Sequence, residues 1–434
     1  MACSGSGRAA AERAVMAKGV WVDRQDRAFG PGVIGRSGKP ALDPEEMLAA
    51  ALKRAGRDGF EDRSFFHPLQ RLIASCNTES DLNTLGRNAV KFEIRRSLHN
   101  LLEFERRERD NPQVLTRAIE RPVFITGMPR SGSTFLHRLL VRDPCVAAPL
   151  SWRLVHPHPS TTGRLGETLN RARVQAQFYL MRLLAPELNS LHEVAAGEPE
   201  ECTDITAQVF QSLRYDSVYR VPSYQSWLQR HGHLEAYRFH KRFLQHLEHL
   251  HPEAPHRRWI LKSPDHVFAL DDVRAVYPDA VWVYIHRDPV AVLASVARLT
   301  EVLRRPFAHH VDRVEIGQQV CASWLDGAER MMRSARSSDS ILHLHYREII
   351  SNPQGVADRL FRHCGHASSR EAARRMRKWL GNRSNRGHRQ RHYDLASFGL
   401  DPNSLRAQFK PYTDAFDIAL EWPPKARAAR GPRN

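Results

Sequence analysis

One segment in the first third of the chain constrains the fold most. Residues 123–142 read VFITGMPRSGSTFLHRLLVR, which places an apolar run, a loop bounded by Gly127 and Gly132, and a helical pattern in that order. Backbone amides at the start of a helix bind anions, and a glycine-containing loop lets the backbone approach them. The segment therefore predicts a buried strand, a phosphate-binding turn and a helix.

The loop differs from a nucleoside-triphosphate loop at one position. Thr134 stands where such loops carry their magnesium-binding hydroxyl, but Ser133 occupies the position of the lysine that reaches the terminal phosphates. The cation of this loop is Arg130. Backbone amides and one arginine suit a donor that has a single phosphate-linked leaving group and needs no metal.

Two separated segments resemble one family. GMPRSGST is similar to the 5′-phosphosulfate-binding loop of sulfotransferases, which use 3′-phosphoadenosine 5′-phosphosulfate (PAPS). The segment from Trp259, WILKSPDHVFALDDVRAVYPDAVWVYIHRDP, resembles the second nucleotide-binding segment of the same enzymes. The likeness is greatest to the branch with PRSG, LKSP and HRDP motifs, and it extends over roughly residues 42–415. It implies a sulfotransferase that moves a sulfuryl group from PAPS to a hydroxyl acceptor.

The resemblance also implies which residues bind the donor. An arginine at a strand end and a serine eight residues later hold the 3′-phosphate in that family, and Arg287 and Ser295 have this spacing. The basic segment NRSNRGHRQR, residues 382–391, is similar to the family's closing loop, although a solvated basic loop is an equal alternative. The predicted donor-binding residues are Arg130, Ser131, Gly132, Ser133, Thr134, Arg287, Ser295, Arg386, Gly387 and Arg389.

Sulfuryl transfer needs an acceptor oxygen in line with the leaving phosphate, a base, and positive charge at the bridging oxygen. Arg130 serves the phosphate, and Lys262 at a strand end is the second cation or proton donor. Small-molecule sulfotransferases have Lys-Thr-His at that strand end and use the histidine as base. Here the sequence is Lys-Ser-Pro, so that base is absent.

The candidate bases follow from this departure. His266 can reach the site if the chain turns at Pro264, and an acidic cluster lies before a helical region. Glu200 and Glu201 rank above the histidines, although Pro199 and two glutamates also suit the first turn of a helix. The candidates are therefore Glu200, Glu201, His266 and His192.

Hydrophobic periodicity gives the organisation of the chain. Four segments are predicted: a disordered basic leader (1–40), a helical arm or cap (41–120), a sulfotransferase α/β domain (121–415) with a helical insertion (150–252), and a flexible tail (416–434). Asp43, Pro44 and Glu46 mark the start of the first helix. Further strands are predicted at 259–262, 281–286 and 341–345. These features predict a three-layer α/β fold, similar to that of P-loop proteins, with a central parallel sheet.

Composition limits the partners. The net charge is +17, but the basic residues are scattered, so no nucleic-acid partner is expected; peripheral contact with an anionic surface stays open. The acceptor is predicted as a small-molecule, lipid or glycan hydroxyl, and the oligomeric state is open. The chain shows no signal peptide or membrane span and has six widely spaced cysteines, which predicts a cytoplasmic protein without disulfides.

No metal site is predicted, because the paired histidines lack a third ligand at metal spacing. PAPS is the expected co-substrate. Two other functions remain open at this point. One is a P-loop nucleotide or small-molecule kinase, against which Ser133 in the lysine position argues. The other is a non-catalytic nucleotide-binding scaffold.

Overall fold

Five parallel strands form the centre of the protein, in the order β2-β3-β1-β4-β5. The computed structural model describes residues 41–421, apart from residue 192, residues 251–256, residue 339 and residues 383–393. The strands are β1 Val123–Gly127, β2 Val146–Ala147, β3 Arg258–Lys262, β4 Val281–His286 and β5 Leu342–His345. This sheet confirms the predicted fold class. The two-residue β2 was absent from the prediction because it is too short to show a period.

Helices cover the sheet and extend from it. Before β1 lie α1 Pro44–Ala55, α2 Phe66–Thr78 and α3 Thr84–Asp110. Between β1 and β3 lie α4 Ser133–Leu140, α5 Ser151–Val155, α6 Gly163–Leu184, α7 Leu188–Leu191, α8 Thr203–Thr206, α9 Arg214–Val218, α10 Pro222–His231 and α11 Leu234–His249. After β3 lie α12 Leu270–Val276, α13 Pro289–Arg304, α14 Arg313–Arg336, α15 Tyr346–Ser351, α16 Pro353–His363, α17 Arg370–Gly381 and α18 Pro402–Ala415. Short 3₁₀ turns span Pro112–Thr116, Ala207–Val209, Pro264–Ala269 and Ala396–Phe398.

The central strand explains why helices lie on both faces. Every residue of β1 is buried, and Val123 is in register with Ile260 of β3 and Val281 of β4. A strand without a polar face needs an apolar layer on each side. Phe124 packs into the larger core, whereas Val123 packs into a second core on the opposite side of the sheet.

The first helix forms as its end signals predict. Asp43 accepts hydrogen bonds from the backbone amides of Glu45 and Glu46, and Gly56 ends α1 with a φ of +62°. Leu48 of this helix belongs to the same core as Phe210 of the insertion. The helices before the sheet are therefore packed into the core and do not stand apart from it.

The predicted leader lies outside the described residues, as does the part of the predicted tail after residue 421. The described beginning of that tail packs on the core, since the ring of Phe416 stacks on His286 at 4.2 Å and Ile418 is buried. Packed residues therefore continue past residue 416, and the predicted domain boundaries, the start of the tail included, stay predictions.

Candidate functional site

The loop after β1 has the backbone expected of an anion-binding turn. Gly132 has a φ of +86° immediately before α4, and Arg130 has a φ of +63°, a region that residues with a Cβ rarely occupy. The Ser131 hydroxyl donates to the carbonyl oxygen of Met128 at 2.6 Å and closes the turn. A non-glycine residue held at positive φ is typical of functional loops, where surrounding contacts compensate for the strain.

The loop meets the beginning of α13. Asp288 accepts from the amide of Val290 and starts this helix, which carries Ser295 two turns later. The Nε of Arg130 donates to the Ser295 hydroxyl at 3.1 Å. Arg287, at the end of β4, donates to the carbonyl oxygen of Arg130. The fold thus brings the two sequence segments together at the carboxyl ends of β1 and β4, the usual ligand-binding edge of a parallel sheet.

A carboxylate from the end of the described chain contacts Arg287. Glu421 accepts from Nε of Arg287 at 3.1 Å and from its Nη2 at 2.9 Å, and both side chains are 10% exposed. The backbone amide of Glu421 donates to Asp288 at 2.6 Å. The guanidinium carbon of Arg287 also lies 3.8 Å from the centre of the Tyr346 ring. Arg287 is therefore fixed with its planar fork directed at an anionic group.

Lys262 connects the loop with the acidic cluster. Its side chain is fully buried, and its Nζ donates to Glu201 at 2.7 Å and to the Thr134 hydroxyl at 3.2 Å. A buried ammonium group needs such partners, because desolvation without them is costly. The lysine therefore lies between the anion-binding turn and a carboxylate.

Two backbone hydrogen bonds, one of them to the end of β3, hold Glu200 and Glu201 in place. The amide of Cys202 donates to the carbonyl oxygen of Lys262 at 3.0 Å, and the amide of Glu200 donates to that of Pro149 at 3.0 Å. Helix α8 begins at Thr203, so both glutamates precede it. They lie just before the first turn of this helix and not within it.

These groups open into a cavity of about 690 Å³. Its lining includes the polar site residues Arg130, Ser133, Thr134, Glu201, Arg287 and Ser295. Other charged or polar residues also line it, among them Arg96, Arg138, Asp204, Arg214, Asp216 and Gln319. Its apolar lining includes Phe178, Met181, Leu299, Leu303, Val320 and Trp324. The cavity can therefore hold an anion together with a molecule that carries apolar surface.

Comparison with protein families decides what this arrangement belongs to. Residues 122–369, more than half of the chain, match the model of the Sulfotransferase family. The chain belongs to the sulfotransferase family. It is a transferase that moves sulfuryl groups.

Known sulfotransferases resemble it along most of their length. It is 24% identical over 283 residues to the omega-hydroxy-beta-dihydromenaquinone-9 sulfotransferases Stf3 of Mycobacterium bovis and Mycobacterium tuberculosis, which covers 60% of this chain and 67% of each relative. The crystal structure of sulfotransferase STF1 from Mycobacterium tuberculosis shares 29% identity with a TM-score of 0.73, covering 86% of this chain and 99% of that one. Sulfotransferase STF9 from Mycobacterium avium shares 26% identity with a TM-score of 0.75, covering 91% and 100%.

Most of the predicted site residues lie together in this sulfotransferase. Arg130, Gly132, Ser133, Thr134, Glu200, Glu201, Arg287 and Ser295 line the cavity, and Lys262 contacts two of them. Ser131 is an exception, because its side chain is buried in the turn and bonds to Met128. His192, Arg386, Gly387 and Arg389 lie outside the described residues.

The structure does not support His266 as a base. The chain does turn at Pro264, but the ring lies in the aromatic core, 4.9 Å from the ring centre of Phe124, with its Nδ1 bonded to the hydroxyl of Tyr237 at 2.6 Å. Burial lowers the pKa of His266 well below its usual value. The ring therefore stays neutral and does not line the cavity.

Asp265, which sequence reasoning missed, also faces the cavity. Its amide donates to the Ser263 hydroxyl at 3.1 Å, which starts the 3₁₀ turn after β3. Burial and the nearby Glu201 carboxylate raise the pKa of Asp265 to about 8. The sequence signal for Asp265 was its position three residues after Lys262, at the strand end where the small-molecule sulfotransferases carry their base.

Two negative findings apply to the described part of the chain. It contains no group of three or more His, Cys, Asp or Glu side chains arranged to hold a metal ion. No helix within it is both long and apolar enough to cross a bilayer. The strand histidines instead pack on each other, since Nε2 of His286 lies 2.9 Å from Nδ1 of His343 and the two rings are stacked.

Proposed function

We propose that this sulfotransferase takes the sulfuryl group from PAPS and transfers it in line to a hydroxyl of a largely apolar acceptor. The observation that carries the proposal is the position of Lys262, whose Nζ contacts both Thr134 of the anion-binding turn and the Glu201 carboxylate. A cation between a phosphate site and a potential base is what transfer from a phosphosulfate requires.

The donor site is assigned from the two segments that meet. The amides of the turn and Arg130 hold the 5′-phosphate, and Ser133 and Thr134 supply hydroxyls to it. Arg287 and Ser295 hold the 3′-phosphate, for which the fork of Arg287 is suited because it already binds a carboxylate in a bidentate manner. The predicted closing residues Arg386, Gly387 and Arg389 complete this site in our proposal.

The transfer breaks the bond between sulfur and the bridging oxygen of PAPS and forms one between sulfur and the acceptor oxygen. Lys262 stabilises the charge that develops on the bridging oxygen, and Glu201 accepts the acceptor's proton. Glu201 is preferred to Glu200 because its carboxylate bonds directly to Lys262, whereas Glu200 is buried and accepts from the amide of Glu201. The leaving product is adenosine 3′,5′-bisphosphate.

The acceptor is assigned from the apolar wall. Phe178, Met181, Leu303 and Trp324 present apolar surface that fits an alkyl or prenyl chain, beside a polar lining that includes Asp216 and Gln319. The similar Stf3 proteins are named for a hydroxylated dihydromenaquinone, which supports a lipid alcohol here. We therefore favour a lipid or other apolar alcohol over a glycan, and cytoplasmic localisation stays a prediction.

Turnover of radiolabelled PAPS tests the proposal. The acceptor panel contains long-chain alcohols, a prenylated hydroxyl compound and simple sugars, and parallel reactions contain radiolabelled ATP with magnesium. We expect label transfer from PAPS to an apolar alcohol. The variants Arg130→Ala and Lys262→Met should lose it, whereas the control Arg374→Ala, which removes an exposed arginine paired with Glu371, should retain it.

Three results would contradict the proposal. Undiminished turnover of the Arg130→Ala variant would show that Arg130 of the anion-binding turn takes no part in the transfer. Transfer of phosphate from magnesium-ATP would indicate a kinase. Absence of both reactions, together with failure to bind adenosine 3′,5′-bisphosphate, would indicate a non-catalytic scaffold that keeps only the fold of a nucleotide-binding enzyme.

A further inference from the structure

Helix α6 carries a large apolar surface that faces away from the core. Leu165, Leu169, Tyr179 and Leu183 are 69%, 48%, 62% and 59% exposed. Ala172 and Ala176 between them are also exposed. Contiguous exposed patches of large apolar side chains are uncommon on monomers and mark interaction sites.

The six residues form one continuous seam. Successive members lie alternately four and three residues apart, the spacing that keeps side chains on one face of a helix over several turns. The opposite face holds the helix on the protein, with Gly166 and Val174 buried and Phe178 and Met181 at the cavity. Within α6, all of which the structure describes, the seam itself contains no charged side chain.

The residue types of the seam are nearly symmetric about Val174. Leu165 and Leu183 lie at equal distances on either side of it, as do Leu169 and Tyr179, and Ala172 and Ala176. When a helix packs antiparallel on a second copy of itself, each residue of such a pair meets the other member in the partner. The small alanines then allow close approach at the centre, while the large side chains fill the ends.

We propose that α6 pairs with α6 of a second copy of this chain, antiparallel and about a two-fold axis near Val174. An isologous contact of this kind uses the same patch on both protomers and requires that the patch be complementary to itself. The seam of α6 meets that requirement over about 27 Å, the length of roughly 18 residues of helix.

A lipid surface fits this face less well than a second copy does. An interfacial helix presents its arginines to the headgroups beside its apolar face. Here two of the four arginines of α6 are held on the protein, since Arg182 donates to the carbonyl oxygen of Val194 at 2.5 Å and Arg171 lies against Gly197. Arg164 and Arg173 are exposed. The middle of the seam is also recessed, since alanines occupy it, and this shape suits a crossing helix.

Pairing also stabilises the cavity wall. Phe178 and Met181 of the same helix line the cavity on the side opposite the seam. A helix packed on both faces holds these side chains more firmly than a helix packed on one face. The dimer therefore supports the apolar part of the cavity in each protomer, and neither protomer contributes a residue to the other's site.

The test uses the full chain in sedimentation velocity, together with cysteine cross-linking in a background with Cys3→Ser and Cys145→Ser. We expect a dimer at micromolar concentration. An Ala172→Cys chain mixed with a tagged Ala176→Cys chain should form a disulfide under mild oxidation, because these positions face each other across the axis. Either variant alone should not, since the two copies of the same residue lie about 6 Å apart along the helix axis in addition to the separation of the helices.

The disrupting variant is Leu169→Glu, which should weaken dimerisation at least tenfold. Its thermal unfolding temperature should equal that of the native protein at concentrations where the native protein is monomeric. The matched control is Phe92→Glu on α3, where an apolar side chain is 57% exposed but lies off the seam. It should remain dimeric.

Several outcomes would overturn the proposal. They are a monomer at all concentrations, cross-linking of either single variant with itself, or unchanged dimerisation of the Leu169→Glu variant. Binding of a monomer to anionic phosphatidylglycerol vesicles, lost in Leu169→Glu, would instead identify the seam as a lipid-binding surface.

Discussion

Replacing Glu421 by glutamine should tighten binding of adenosine 3′,5′-bisphosphate. In the proposed donor site, Arg287 holds the 3′-phosphate, but in this structure its fork is bonded to the Glu421 carboxylate through Nε and Nη2 at 3.1 Å and 2.9 Å. The donor must displace this carboxylate before its phosphate can bind. The Glu421→Gln variant keeps the shape of the side chain and removes the competing charge.

The geometry sets the expected magnitude. Two unit charges about 4 Å apart attract by about 4 kcal/mol at an effective dielectric constant near 20, and desolvation offsets much of this attraction. A charge-assisted hydrogen-bonded pair that is mostly buried contributes about 1.5 kcal/mol net. Removing it should therefore lower the dissociation constant of the bisphosphate about tenfold.

Isothermal titration calorimetry at constant ionic strength measures this change. Adenosine 5′-monophosphate, which lacks the 3′-phosphate, should bind the variant and the native protein equally. The control variant Glu371→Gln removes an exposed carboxylate on α17 and should alter neither ligand. Weaker bisphosphate binding by Glu421→Gln would contradict this prediction and show that Glu421 positions Arg287. Equal tightening of both ligands would show a general electrostatic effect.

Three further predictions concern the site and the sheet. Lys262→Met should lower kcat about 100-fold to 1000-fold and leave bisphosphate affinity within about threefold, because the lysine acts on charge that develops during transfer. Single-turnover kinetics and calorimetry measure the two effects, and an equal loss of rate and affinity would contradict this role of the lysine. The pKa of Asp265 is raised to about 8, so its contribution to stability is fully present below about pH 4 and is lost as pH rises from there through 8. Over that range the free energy of unfolding should therefore fall more steeply in the native protein than in Asp265→Asn, by up to about 1.4 kcal/mol per pH unit. Chemical denaturation at several pH values measures this difference. Equal pH dependence of the two proteins would be inconsistent with the raised pKa. Gly127→Ala should destabilise the protein by at least about 2 kcal/mol, since φ is +136° there and an added Cβ would lie 2.2 Å from the carbonyl oxygen of Ile285; a melting temperature equal to that of the native protein would contradict this packing.

The sequence predicts the sheet and the anion-binding turn well because their signals are local. The apolar run of β1, the glycines of the turn and the cap residues of α1 each determine nearby backbone. The boundaries of β4 match the prediction, while β3 begins at Arg258 and β5 at Leu342, each one residue away. The two-residue β2 gives no periodic signal, and its pairing depends on the position of β3.

The proposed catalytic residues were only partly predictable, because their arrangement depends on contacts between residues that are distant in sequence. Glu201 and Lys262 were both candidates, but their contact arises from a hydrogen bond between Cys202 and the end of β3. His266 was suggested by proximity in sequence, and burial in the aromatic core overrides that suggestion. Glu421 carries no motif, and its contact with Arg287 spans 134 residues.

Thermal unfolding in the presence of nucleotides distinguishes a PAPS site from a magnesium-ATP site. The ligands are adenosine 3′,5′-bisphosphate, adenosine 5′-monophosphate, and ATP with and without magnesium, applied to the native protein and to Arg130→Ala. A ligand at 100 times its dissociation constant adds about 2.7 kcal/mol of stability, which is a clear shift. We expect the bisphosphate to stabilise the native protein independently of magnesium, and to stabilise Arg130→Ala far less. A shift with magnesium-ATP alone, or an equal bisphosphate shift in Arg130→Ala, would contradict this expectation.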